Sequence, residues 1–119
     1  MHNNIRVPPD EVSSALVCVL PIEPEGAKVG TALARLASLR LGRRVTIHQV
    51  QRSIRNLRAL GYPVVSQSND PPGYRMATTA AALRACITEH RQRAVETLRT
   101  VELLERARLE MAHDNRKLF

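Results

Sequence analysis

A mainly α-helical fold, with three helices, one small β-hairpin and then one long helix, is the class this sequence predicts. Three observations predict it. Apolar residues recur at helical spacing in three successive segments between residues 11 and 60, each closed by a stop signal at Pro21, Gly42 or Gly61. The period then shortens in two extended runs around a stretch dense in turn residues. Beyond Thr79, no Gly or Pro interrupts the chain. Aromatic residues make up only 3% of the 119 residues and Trp is absent, so the core must be aliphatic, which favours helix packed on helix.

The elements follow in order. Residues 1–9 are polar and end in Pro8-Pro9, and are expected to form a flexible N-terminal arm. Asp10 is the expected N-cap of a helix with an apolar run from Val12 to Leu20, ended by Pro21. A second helix is expected from about Lys28 to Leu41, with Gly42 as its C-terminal stop. Thr46-Ile47-His48-Gln49 fits a capping box, and the third helix should run from Ile47 to Leu60, with Ile47, Val50, Ile54 and Leu57 facing the core. Tyr62-Pro63-Val64-Val65 and Tyr74-Arg75-Met76 read as two strands joined by the polar stretch Gln67 to Gly73. Three helices followed by a hairpin is the order of a winged helix-turn-helix, expected over residues 10–77. Residues 78–119 form the long C-terminal helix, reaching about His113.

Charge narrows the partner. The formal net charge is +7 and the pI about 10.7, which calls for an anionic partner. Between Glu25 and Asp70 there is no acidic residue, while Lys28, Arg35, Arg40, Arg43, Arg44, Arg52, Arg55 and Arg58 all fall there. A solvated helical surface ordinarily interleaves both signs; this run does not, and it is read as an anion-binding surface. With Val50, Ile54 and Leu57 turned inward, the far face of the third helix carries His48, Arg52, Arg55 and Ala59, flanked by Gln49, Gln51 and Asn56. Arg can pair bidentately with guanine, and Gln or Asn with adenine, in the major groove. Arg43 and Arg44 in the preceding turn are expected to hold phosphates, and Thr46 lies at a helix N-terminus able to donate amides to one. Gln67, Ser68 and Asn69 at the hairpin tip, together with Arg75, are expected on the nucleic-acid backbone. The expected partner is double-stranded DNA.

The run from Val50 to Ser66, followed by Pro72-Gly73-Tyr74-Arg75-Met76, resembles the winged-helix module of the bacterial biotin-ligase repressor and related regulators. The likeness is specific at Leu57, Arg58, Gly61, Tyr62, Gly73 and Tyr74. It implies that helix 47–60 enters the major groove and that the chain regulates transcription. No ligase or effector domain follows within this sequence, so biotin chemistry is not carried over. A short chain of this design resembles phage or mobile-element regulators.

In the long helix, a heptad reading places Ala80, Ile87, Ala94, Val101 and Arg108 at one seam position. Leu83, His90, Thr97, Leu104 and Met111 take the other, with Leu98 and Leu109 beside the seam. This is read as a dimerisation surface of the antiparallel or bundle-like kind, carried by Leu83, Ile87, Ala94, Leu98, Val101 and Leu104. The alternative is an adaptor of phage or plasmid type that docks the long helix on a host protein such as a polymerase or replication factor. No arrangement of nucleophile and base, paired carboxylates or metal ligands is evident, so no catalytic residue, metal or cofactor is expected. Cys18 and Cys86 are expected as buried free thiols. With no apolar signal core and no apolar run of membrane-spanning length, the expectation is a cytoplasmic protein without membrane contact.

Overall fold

The structure is a computed structural model that describes residue 8 and residues 10–68 and 71–117. The expected arm at residues 1–9 therefore lies almost entirely outside the described residues. The chain divides into two compact units, Met1–Cys86 and Ile87–Phe119.

In the first unit, α1 (Glu11–Val19), α2 (Gly30–Leu41) and α3 (Ile47–Ala59) pack on one another, and the strands β1 (Val64–Gln67) and β2 (Gly73–Met76) form an antiparallel hairpin. The starts of α1 and α3 are dictated locally. Asp10 caps α1 twice, accepting from the Ser13 amide at 2.7 Å and the Ser13 hydroxyl at 2.9 Å. At α3 both halves of the capping box form: Gln49 N donates to Thr46 Oγ1 at 3.2 Å, and Thr46 N to Gln49 Oε1 at 2.9 Å. The α3 terminus closes in a Schellman motif. Gly61 sits at φ 98°, its amide donates to the Arg58 carbonyl, and the Tyr62 amide reaches the Leu57 carbonyl.

The inward faces meet in one aliphatic core, in which Leu16, Leu33, Val50 and Leu57 are fully buried. Each such side chain contributes about 1.5–3 kcal/mol by leaving water. Ser13 and Ser53 are also buried, on α1 and α3 respectively.

Three sequence expectations change. Lys28 is not helical: α2 starts at Gly30, and Lys28 makes an isolated bridge to Tyr74, donating to its carbonyl at 3.1 Å and accepting from its amide at 2.8 Å. The backbone ahead of α2 thus adds a third, one-residue rung to the hairpin. Gln67 belongs to β1, opposite Gly73, and not to the tip. Cys18 is exposed on α1, because the core-facing stripe of that helix is Val12, Ala15 and Leu16; Cys86 is buried as expected.

The second unit is the remainder of α4 (Ala80–Lys117), whose first turns belong to the first unit. Thr79 caps α4, its hydroxyl accepting from the Ala82 amide at 3.2 Å. No helix among the described residues is long and apolar enough to cross a membrane.

Candidate nucleic-acid interface

The α2–α3 connection positions α3. Gly42 adopts φ 67°, the left-handed conformation that ends α2, and its amide donates to the Ser38 carbonyl. Ser38 then ties α2 to the turn that leads into α3. Its hydroxyl donates back to the Ala34 carbonyl at 2.7 Å and accepts from the Val45 amide at 2.8 Å. Val45 is buried, so its amide needs this partner; an unsatisfied donor there would cost about 1–3 kcal/mol. Ser38 was not singled out from the sequence. A Ser in a helix four residues before a Gly stop was the available signal.

On α3 the predicted face is the exposed one. His48, Gln51, Arg52, Arg55 and Ala59 are exposed, Gln49 and Asn56 are half-buried, and Val50, Ser53, Ile54 and Leu57 are buried. Among the described residues, Arg44, Arg52 and Arg55 take part in no ion pair. Arg44 is exposed in the turn beside Arg43.

Other predicted contacts are engaged within the protein. Thr46 and Gln49 serve the capping box. Arg43 Nη2 lies 3.3 Å from Glu11 Oε2, with both side chains largely exposed. A shallow groove between the start of α1 and α3 is lined by Asp10, Glu11, Arg43, Gln49 and Arg52. Gln67 ties the hairpin to its surroundings: Nε2 donates to the Pro24 carbonyl at 2.8 Å and the Pro71 carbonyl at 2.7 Å, and Oε1 accepts from Arg75 Nε at 3.0 Å. Arg75 is only 9% exposed, so its guanidinium belongs to the inside of the hairpin. Gln67 and Arg75 are therefore corrected from surface contacts to parts that shape the hairpin. Ser68 is exposed; Asn69 lies outside the described residues.

The residues that carried the family resemblance all have structural work. Leu57 is core, and Arg58 Nε donates to the Val64 carbonyl at 2.9 Å, joining α3 to β1. Gly61 and Tyr62 close α3, and Gly73 and Tyr74 meet Lys28. Comparison with protein-family models, with curated proteins and with solved structures finds no match. Among the described residues no group of three or more His, Cys, Asp or Glu side chains could hold a metal ion.

Proposed function

We propose that the first unit is a winged helix that binds double-stranded DNA, with α3 in the major groove, and that the chain is a sequence-specific regulator of transcription working in pairs in the cytoplasm. The observation that carries this reading is the exposed face of α3. His48, Gln51, Arg52 and Arg55 line it within a stretch that has no acidic residue from Gly26 to Asn69. Arg52 and Arg55 are the base readers in this reading, and Arg43 and Arg44 hold phosphates. Two copies related by a two-fold axis would read an inverted repeat.

Selection from a random duplex library, followed by fluorescence anisotropy, tests it. Arg52→Ala or Arg55→Ala should weaken binding to the selected site by about 5- to 100-fold, with helicity by circular dichroism unchanged. Affinity should fall steeply with salt, because phosphate contacts release counterions. A selection that enriches no sequence, with binding indifferent to salt, overturns the reading.

A second reading, a phage-type adaptor for a host protein, draws on the exposed apolar side chains of α4. It would be favoured by a host complex that survives nuclease and the change Arg52→Glu with Arg55→Glu.

A further inference from the structure

From Ile87 onward α4 carries an apolar stripe open to solvent. Ile87, Leu98, Val101, Leu104 and Met111 are between 46% and 66% exposed, and Ala94 is exposed with them. On a helix of 3.6 residues per turn these side chains fall on one side. Charge along the flanks of the stripe is uneven. Arg91 and Arg93 border its N-terminal half, and Glu105 and Asp114 its C-terminal half.

We propose that this stripe takes a second copy of the same helix, running antiparallel, with the two-fold axis beside Arg99. This specifies the pairing named above and does not depend on DNA binding. The two orientations place different residues face to face. In a parallel pair each seam residue meets its own copy, so Arg108 would face the partner's Arg108, and no flanking position would meet an opposite charge. In the antiparallel pair centred near Arg99, Ile87 meets the partner's Met111 and Ala94 meets the partner's Leu104. Leu98 meets the partner's Leu98 across the axis. Arg91 falls beside the partner's Glu105, and symmetry makes that pair twice. Val101 meets the partner's Thr97, and the one layer polar on both sides sets Arg108 opposite the partner's His90. Its charge is already countered, because Glu105 Oε2 accepts from Arg108 Nη2 at 2.8 Å and Nε at 3.1 Å on the same helix. Charge matching therefore selects this orientation and this register.

The full chain carrying Cys18→Ser and His113→Cys, spin-labelled at residue 113 on the outer side of α4, tests this; Cys86 is buried and does not label. Sedimentation at tens of micromolar should give a dimer, and a monomer or a larger assembly overturns the proposal. The labels should lie more than about 40 Å apart, since 28 residues of rise separate the two positions along the axis. A separation of roughly 20 Å, two helix diameters, means a parallel pair and overturns the orientation while leaving pairing intact. Arg91→Glu, which leaves the Arg108–Glu105 pair in place, should raise the dimer dissociation constant about tenfold, whereas Arg91→Lys should hold it within about threefold. If Arg91→Glu leaves the dissociation constant unchanged, the register is wrong.

Discussion

Arg43 is held by Glu11 across the gap between α1 and the α2–α3 turn, and in the proposed complex a DNA phosphate would compete for the same guanidinium. An exposed pair of this kind is worth little to the fold, about 0–1 kcal/mol. Its larger effect is on binding, because the carboxylate both occupies Arg43 and repels a phosphate near Arg52. Glu11→Gln should therefore tighten duplex binding by about threefold at low salt, with the gain shrinking as salt screens the charge. Anisotropy titrations at two salt concentrations read this directly, and unchanged or weaker binding removes Arg43 from the phosphate contacts. Arg75 illustrates the opposite case. As an arginine near a polar tip it is expected on the surface, yet it lies buried on β2 opposite Val65. Gln67 then supplies a carbonyl to its guanidinium.

Among the elements, the hairpin depends most on a single backbone position. Gly73 has φ 136°, and a Cβ there would run into the Lys28 carbonyl group. That contact is with backbone and cannot be relieved by a rotamer change. Gly73→Ala should cost more than about 2 kcal/mol by urea unfolding, since it adds a clash to a strained backbone. A loss within about 0.5 kcal/mol, the usual range for a surface change, would mean that the Lys28–Tyr74 rung is dispensable. The rung was also what the sequence concealed. Capping boxes, glycine stops and apolar periodicity are short-range signals, and they place α1, α3, the hairpin and α4 nearly where they occur. The pairing of Lys28 with Tyr74 joins residues 46 positions apart, and nothing within a few residues of Lys28 announces it. The predicted face of α3 was legible because one amphipathic helix encodes both its buried and its exposed side. The roles of Gln67, Arg75 and Ser38 were not, because each depends on a partner supplied by tertiary structure.

For the whole molecule, the division into two units separates two sources of stability. The core from Val12 to Val64 lies in the first unit, whereas residues 91–111 of α4 are exposed throughout. A chain ending at His90 should unfold cooperatively at a midpoint independent of protein concentration. The full chain's thermal midpoint should rise with concentration, as mass action requires when association favours the folded form. Calorimetry over a hundredfold concentration range distinguishes them, and a constant midpoint for the full chain contradicts pairing through α4. The Lys28–Tyr74 rung also bears on synthesis. As the chain is synthesised, Lys28 is made 46 residues before its partner Tyr74. Until Tyr74 emerges, the Lys28 amide and carbonyl can be satisfied only by water. The rung therefore closes only when nearly all of the first unit has left the ribosome, and a chain cut short before Tyr74 lacks the latch altogether.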